Sequence, residues 1–308
     1  MSWRARDFSG RPDYSAHFRS DITEELRSGR GFVLLRGLPT DGVSIERFVT
    51  EVSALGRRFG HLLSQNAQGE LIGHVLDATS SEPTPRLFRS SLELRPHTDH
   101  AAIVLLACWN AAESGGETIL ASASTVHDEI RRRRPELLAC LYRGFHCHRR
   151  GEQGPDQEPV TPYRVPVFSA RDGMLSCRYQ RAVIAAGHRE LGHALSQSEI
   201  WALDLFDEIA TAPENQVRFS LERGDVLVLN NYTVLHARTR FIEHRDVARR
   251  RHLIRIWLER GGLRHVPLEF RLFPSAEGIP PQPGRSCSYD FEKLYREDPV
   301  GSGGMPHL

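Results

Sequence analysis

Apolar residues define the first predicted elements of the chain. Residues 16–29 have the spacing of a short amphipathic helix, and residues 31–36 (GFVLLR) form a compact apolar run typical of a buried strand. After Ser44, apolar side chains recur at helical spacing and predict a helix that ends at Gly60, with a buried face made of Phe48, Val52, Leu55 and Phe59. The N-terminal part therefore supplies packing surface.

Short apolar runs separated by turn residues dominate the rest of the chain. Residues 94–100 and the apolar run after them suggest a strand pair, and further strands are predicted at 117–121, 165–169, 174–179, 217–221, 225–229 and 252–258. One helix is predicted from Thr125 and Asp128, which resemble a capping box, and another from Ser196 and Glu199. The pattern predicts a mainly β chain with flanking helices (α+β), arranged as an antiparallel barrel or jelly roll.

The domain organisation is expected to be simple. The 308 residues contain no internal repeat and no clear linker, which favours a single domain over 1–308. Residues 149–165 form a polar, proline-rich loop long enough to act as a lid. From residue 261 to 308 the chain is rich in Pro, Gly and Ser, which predicts a loop-rich C-terminal extension.

Charge and composition restrict the classes of partner. Lys and Arg number 40 against 39 Asp and Glu, a formal charge of +1, so the chain lacks the basic field of nucleic-acid-binding proteins. No apolar stretch is long enough to span a membrane. The five cysteines are scattered and never spaced as CxxC, which suits a reducing cytoplasm. We expect a cytoplasmic protein that binds a small molecule, with neither nucleic acid nor membrane as a partner; the sequence leaves the oligomeric state open.

Three residues have the chemistry of a metal site. His97 and Asp99 would leave the same face of an extended strand, and His236 follows the apolar strand at 225–229 by a short turn, so it can reach the same sheet. Two imidazoles and one carboxylate leave positions open on a metal ion, which suits non-haem Fe(II), whereas a structural zinc ion would require a fourth protein ligand.

The strand at 252–258 carries a second signal. Arg251, Leu253, Arg255 and Trp257 alternate with Ile254, Ile256 and Leu258, so both arginines share one face. On the inside of a barrel each guanidinium needs an anion, and carboxylates fit its fork of donors. An exposed edge strand or structural salt bridges are the alternatives, but the nearby histidines favour an anion site.

These motifs resemble the taurine-dioxygenase-like (TauD/TfdA) family of Fe(II)- and 2-oxoglutarate-dependent oxygenases. The matching segments are HTD at 97–99, GGET at 115–118, NNYTVLHART at 230–239 and RRHLIRIWL at 250–258. With GFVLLRGLP at 31–39, the likeness covers a catalytic core at about residues 20–260. The resemblance implies a double-stranded β-helix, a cupin-like jelly roll.

The family resemblance also implies cofactors and residue roles. His97, Asp99 and His236 would bind Fe(II), and Thr118 and Arg251 would hold the distal carboxylate of the cosubstrate 2-oxoglutarate. Arg255 matches a family position that often faces the acidic group of the substrate. The implied reaction uses O2, converts 2-oxoglutarate to succinate and CO2, and oxidises an unactivated C–H bond, most often by hydroxylation. Because Asp99 is present, halogenation is not expected, whereas desaturation and cyclisation remain open.

Other residues and functions are alternatives at this point. Glu93 could meet a substrate amine or pair with an arginine, and Arg178 could approach the site or lie on the surface. The expected substrate is a small carboxylated or amino-acid-like molecule, with a secondary metabolite as one possibility. A cupin-like metal hydrolase or isomerase, and a non-catalytic jelly-roll binding protein, are the competing functions.

Overall fold

The computed structural model describes residues 2–4, 21–79, 87–273, 275 and 277–284. In these residues the helices are α1 Asp21–Arg27, α2 Ile45–Gly56, α3 Ala123–Arg133, α4 Leu138–Arg143, α5 Arg181–Glu190 and α6 Gln197–Thr211. The strands of the first half are β1 Phe32–Leu35, β2 His61–Leu63, β3 Ile72–Val75, β4 Leu94–His97, β5 Ile103–Asn110, β6 Ser114–Gly115 and β7 Thr118–Ser122. Those of the second half are β8 Phe168–Arg171, β9 Met174–Cys177, β10 Gln216–Phe219, β11 Val226–Asn230, β12 Val234–Arg238, β13 Phe241–Ile242 and β14 His252–Glu259.

Two antiparallel sheets form the body of the protein. The larger has the order β1-β11-β5-β14-β2, and β3 also pairs with β14. The smaller has the order β10-β7-β12-β4. Neighbours in both sheets are distant in sequence, as expected for a jelly roll rather than for a series of hairpins.

The alternation along β14 places its two faces in different cores. Leu253 and Trp257 belong to the larger hydrophobic core, which the smaller sheet shares. Ile254, Ile256 and Leu258 pack instead in a second core with α2. The two-sided pattern predicted for this strand is therefore confirmed, and it leaves Arg255 on the side of the smaller sheet.

Three local predictions were wrong in detail. β4 and β5 do not pair with each other, because β4 joins β12 in the smaller sheet while β5 lies between β11 and β14. The helix after Ser44 ends at Gly56 rather than Gly60. Helix α3 is capped by Ser122, whose side chain accepts the N–H of Thr125. Thr125 itself does not cap the helix, and its hydroxyl donates instead to the backbone carbonyl of Trp3.

Other predicted elements form as expected. Strands occur within or beside each of the predicted segments, and α6 begins with a complete capping box of Ser196 and Glu199. The predicted helix at 16–29 is observed as α1, and its residues before 21 lie outside the described part. The described cysteines, Cys108, Cys140, Cys147 and Cys177, are buried free thiols. Within the described ranges, no helix is long and apolar enough to cross a lipid bilayer.

The loop at 149–165 is tied to the C-terminal segment. The Arg149 guanidinium is buried and donates to the backbone carbonyls of Leu272 at 2.8 Å and Glu158 at 2.6 Å. Gly278 forms a parallel bridge with Ser64, which fixes the C-terminal segment against the larger sheet. The C-terminal segment therefore packs on the body as far as it is described, and the prediction for 285–308 lies outside the described residues. The lid and single-domain assignments stay predictions.

Candidate metal centre and adjoining cavities

Strand pairing in the smaller sheet brings two histidines together. His97 ends β4, His236 lies in the middle of β12, and the two are directly opposite each other in the register. Directly opposed residues of an antiparallel pair project from the same face. Their ring centroids are accordingly 4.4 Å apart, although the residues are far apart in the sequence.

Asp99, just beyond the end of β4, completes a group of three possible metal ligands. Its Oδ1 lies 3.9 Å from His97 Nε2, and its Oδ2 lies 3.7 Å from His236 Nε2. The three ligand atoms all lie within 4.8 Å of one another. No other group of three His, Cys, Asp or Glu side chains is this close within the described part of the chain. This set of donors fits Fe(II), with coordination positions left for other ligands.

The hydrogen bond of His97 leaves its metal-binding nitrogen available. His97 Nδ1 is 2.8 Å from the backbone oxygen of Arg95, so Nδ1 carries the proton and donates to this carbonyl. Burial, helped by the nearby His236, lowers the pKa of His97 to about 4. The imidazole is therefore neutral at physiological pH, and its Nε2 presents a lone pair to the other two ligands.

Buried hydrogen bonds hold Asp99 in place. Its backbone N–H donates to Asn231 Oδ1 at 2.9 Å, and the amide nitrogen of Asn231 donates to the backbone carbonyls of Asp99 and Ala101, both at 2.7 Å. The indole N–H of Trp257 donates to Asp99 Oδ2 at 2.9 Å. Sequence reasoning missed the role of Asn231. The available signal was a polar residue that directly follows a buried strand and whose amide must find partners when buried.

Arg255 controls the charge of Asp99. Burial by itself would raise the pKa of Asp99, but the Arg255 guanidinium, with Nη1 3.3 Å from Asp99 Oδ2, and the two histidines hold that pKa well below its ordinary value. Gln65 positions Arg255, because its Oε1 accepts from Arg255 Nε at 2.8 Å and its Nε2 donates to the Arg255 carbonyl at 3.0 Å. Asp99 is therefore an anion, as a metal ligand must be.

A small cavity of about 50 Å³ adjoins the histidines. Its polar lining comes from His97, Thr118, His236, Arg238, Arg251 and Arg255. Arg251 is buried, and its Nη1 has no hydrogen-bond partner among the described residues. Burial lowers the pKa of Arg251 to about 10, which leaves it cationic at neutral pH. The structure thus brings Thr118 and Arg251 together beside the metal ligands.

The turn before Thr118 permits this arrangement. Gly115 and Gly116 have φ values of 72° and 70°, which L side chains rarely adopt. A Cβ on Gly115 would lie 2.2 Å from the backbone oxygen of Arg240, and a Cβ on Gly116 would lie 3.2 Å from Arg251 Nε. The glycine pair therefore allows the backbone to pass close to Arg251.

A large cavity of about 290 Å³ adjoins His97 and Asp99. It shares Phe88, Leu94, His97 and Arg255 with the small cavity. Its remaining lining is Leu87, Arg95, Pro96, Asp99, His100, Arg150, Gln180, Arg181, Ala182, Ala185 and Trp257. Four of the lining residues are arginines, and Asp99 is the only acidic residue among them. Arg255 pairs with Asp99 and Arg181 with Asp204 and Asp207, so Arg95 and Arg150 give the large cavity its cationic character.

Two candidate substrate residues lie outside the large cavity. Glu93 is exposed and lines neither cavity. Arg178 is buried, with its guanidinium over the ring of Tyr232 at 5.2 Å, and it lines a separate cavity of about 30 Å³. His100 lines both this separate cavity and the large one, so it lies between Arg178 and the metal ligands.

The fold and the three ligands define a class, the non-haem iron oxygenases built on a double-stranded β-helix. Residues 4–257 match the model of the family described as "Taurine catabolism dioxygenase TauD, TfdA family". The chain belongs to this family, and it is therefore an oxygenase that depends on Fe(II), 2-oxoglutarate and O2. The family, fold and cofactors predicted from the sequence are confirmed, against the alternatives of a hydrolase or a pure binding protein.

Three curated proteins illustrate the relationship. The chain is 32% identical over 254 residues to FR-33289 synthase of Streptomyces rubellomurinus, covering 80% of this chain and 74% of that protein. It is 27% identical to the taurine hydroxylase-like protein SAT17 of Stachybotrys chartarum, covering 90% and 69%. It is 26% identical to a uridine-5'-phosphate dioxygenase of a Streptomyces species, covering 77% and 88%.

Solved structures share the fold at lower identity. An asparagine oxygenase in complex with Fe(II), a hydroxyasparagine and succinate has a TM-score of 0.59 at 17% identity, covering 77% of each chain. The non-haem iron oxygenase OrfP with iron and 2-oxoglutarate has a TM-score of 0.58 at 14% identity, covering 78% of this chain and 80% of that one.

Proposed function

We propose that the enzyme hydroxylates an unactivated C–H bond of a small molecule that carries a carboxylate or another acidic group, including amino-acid-like compounds. The observation that supports this proposal is the large cationic cavity, which is lined by the candidate metal ligands His97 and Asp99 and by four arginines. Arg255 and Arg181 already pair with aspartates, so an anion in this cavity would chiefly offset the positive charge of Arg95 and Arg150.

The metal ligands have distinct tasks in this proposal. His97 and His236 would bind the iron through Nε2, and Asp99 would bind it through its carboxylate. When bound, Fe(II), 2-oxoglutarate and O2 supply the oxidising power that couples formation of succinate and CO2 to oxidation of the C–H bond. Asn231 fixes the backbone of Asp99, and Trp257 orients the Asp99 carboxylate, through the hydrogen bonds described above.

The small cavity would bind 2-oxoglutarate, and the large cavity would bind the substrate. In the small cavity, the Thr118 hydroxyl and the Arg251 guanidinium would donate to the distal carboxylate of 2-oxoglutarate. In the large cavity, the acidic group of the substrate would meet Arg255, Arg150 or both, while Phe88 and Trp257 supply apolar walls. Arg255 would thus contribute twice, by keeping Asp99 ionised and by attracting the substrate.

The names of relatives support an acidic substrate. One curated relative is named for uridine-5'-phosphate, and one structural neighbour holds a hydroxylated asparagine. Both molecules are small and polar, and both carry an acidic group. Cavities lined by loops diverge readily, so these names support the chemical class and do not identify the compound.

The proposal is tested by substrate-dependent succinate release. The enzyme with Fe(II), 2-oxoglutarate and O2 is mixed with a panel of amino acids, their acylated forms and small phosphorylated compounds, alongside neutral amides or alcohols of matched shape. We expect acidic compounds to accelerate succinate release and to gain one oxygen atom, seen by mass spectrometry and traced with labelled O2. Equal acceleration by the neutral partners would contradict the proposed substrate class.

A further inference from the structure

Arg238 is a second buried cation in the small cavity. It lies two residues after His236 on β12, and alternation along a strand directs both side chains to the same face. The register places Arg238 opposite Thr118 on β7, and both residues line the small cavity with Arg251. Sequence reasoning did not single out Arg238, although its position two residues from a metal ligand was a usable signal.

Several hydrogen-bond donors in this cavity lack acceptors. Arg238 is only 4% exposed, and its Nη2 donates to the backbone carbonyls of Ser90, at 2.7 Å, and Leu92. Its Nε and Nη1 have no partner among the described residues, and the same holds for Nη1 of Arg251. Buried guanidinium donors without acceptors are costly, so their position indicates a cavity that accommodates an anion.

Among the described residues no carboxylate forms an ion pair with either guanidinium, although Asp77 and Glu243 attract Arg238 from a longer distance. The ring of Phe241 lies 4.7 Å from the guanidinium carbon of Arg238 and 5.0 Å from that of Arg251. Glu243 accepts the backbone N–H of Arg251 at 2.7 Å through Oε2, and burial raises the pKa of Glu243.

We infer that Arg238 is an additional cosubstrate-binding residue, which shares the distal carboxylate of 2-oxoglutarate with Arg251 and Thr118. The inference rests on the proposed assignment of the small cavity to that carboxylate. A carboxylate offers about four acceptor positions, enough for the Thr118 hydroxyl and for donors from both guanidinium groups. Opposed cations then stabilise the anion instead of only repelling each other.

Arg238 also links the cosubstrate to a wall of the large cavity. The carbonyls that it holds, those of Ser90 and Leu92, lie in the short segment between Phe88 and Leu94. Phe88 and Leu94 both line the large cavity. Under this inference the Arg238 guanidinium contacts the cosubstrate through Nε and Nη1. Through Nη2 it holds the segment between Phe88 and Leu94, which borders the large cavity.

The test compares two 2-oxo acids. The Kd values of 2-oxoglutarate and of 2-oxobutyrate, which lacks the distal carboxylate, are measured without oxygen on the Fe(II)-loaded protein from the visible absorption that iron and a 2-oxo acid produce together. Arg238→Gln should raise the Kd of 2-oxoglutarate about ten- to a hundredfold, the range for losing a charged hydrogen bond. The Kd of 2-oxobutyrate should stay unchanged. Arg240→Gln, an exposed arginine that lines neither cavity, is the control and should change neither value.

The outcomes are distinguished by the Kd of 2-oxobutyrate divided by the Kd of 2-oxoglutarate, a ratio that falls when binding of the distal carboxylate is lost. An equal rise for both acids, or no rise for either, would overturn the inference. If Arg251→Gln also left the ratio unchanged, the assignment of the small cavity itself would fail; if it collapsed the ratio while Arg238→Gln did not, only the inference about Arg238 would fail. Should Arg238→Gln not fold, Arg238→Lys keeps the charge but loses the fork of donors, and a smaller fall in the same ratio is then expected.

Discussion

The small and large cavities meet at His97, yet they are built differently. The small cavity is lined mainly by strand residues, among them Thr118 on β7, Arg238 on β12 and Leu253 on β14. The large cavity takes much of its lining from segments outside the sheets, including Arg150 in a loop and Ala182 on helix α5. Strand register fixes side chains within a packed sheet, whereas loops vary between relatives. We therefore expect the chemistry to depend on the sheets and the choice of substrate to depend on the segments around them.

The largest expected effect is the loss of the metal, which both cavities require. His236→Ala should abolish Fe(II) binding, because it removes one of the three protein ligands and the remaining two are too few to retain the ion. Binding is measured by equilibrium dialysis of metal-free protein. His265→Ala serves as the control, since His265 is exposed and lies outside both cavities. Undiminished Fe(II) binding by the His236→Ala protein would rule out this metal site.

The sheet behind the small cavity should be sensitive to acid. His74 Nδ1 and His252 Nε2 are 2.8 Å apart in a buried pair, and burial lowers the pKa of His74 to about 4. Between about pH 4 and the ordinary histidine value of about 6.5, the unfolded chain binds a proton here that the folded chain does not. The free energy of unfolding should therefore fall as the pH is lowered through this range, and His74 by itself accounts for about 3 kcal/mol of the fall.

Replacement of His74 checks this origin of the acid sensitivity. Denaturant unfolding of the wild type and of His74→Gln is compared at several pH values across the range. The variant should show a shallower decrease of unfolding free energy on acidification, because it lacks one of the two imidazoles of the buried pair, and His252 remains. Identical slopes in the two proteins would show that the buried pair does not carry the effect.

Replacement of Arg251 and of Arg255 should distinguish the two cavities. Arg251→Gln should raise the Kd of 2-oxoglutarate about a hundredfold, because the cosubstrate loses a buried, charged donor. Arg255→Gln should leave this Kd nearly unchanged at saturating Fe(II) and should instead raise the KM of the substrate. The opposite result, with 2-oxoglutarate affinity lost only in Arg255→Gln, would reverse the assignment of the cavities.

The smallest expected effect concerns the rim of the large cavity. Arg150 is exposed, so Arg150→Gln should raise the substrate KM by only a few-fold, as for other exposed ion pairs worth less than about 1 kcal/mol. The Kd of 2-oxoglutarate should not change. The matched control is Arg189→Gln, an exposed arginine on α5 that does not line the cavity. Equal effects of both variants would indicate general electrostatics rather than contact with the substrate.

The sequence predicted the parts of the site that depend on local pattern. Alternation along 252–258 correctly placed Arg255 and Trp257 on one face. The expectation that His236 lies in the same sheet as the strand at 225–229 was wrong, because β11 belongs to the larger sheet and β12 to the smaller one. The sequence could not show that β4 pairs with β12, because the partner of a strand depends on packing across the whole sheet. For the same reason the two hydrogen bonds between Gln65 and Arg255, which join distant parts of the chain, were not predicted.

The family resemblance and the residues themselves contributed different things. Spacing alone identified a possible metal site at His97, Asp99 and His236, whereas the resemblance supplied the cosubstrate roles of Thr118 and Arg251. Neither could show the third guanidinium beside the metal ligands, Arg238. Its burial and its donors without acceptors become visible only when the strands are assembled.

One measurement tests the central claim most directly, namely that His97, Asp99 and His236 hold iron where 2-oxoglutarate can also bind. Metal-free protein is titrated without oxygen with Fe(II) and then with 2-oxoglutarate, while visible absorption is recorded. We expect a new absorption band that saturates at one equivalent of each per chain and is missing in Asp99→Ala. Tight Fe(II) binding with no band on addition of 2-oxoglutarate, or an undiminished band in Asp99→Ala, would contradict the account.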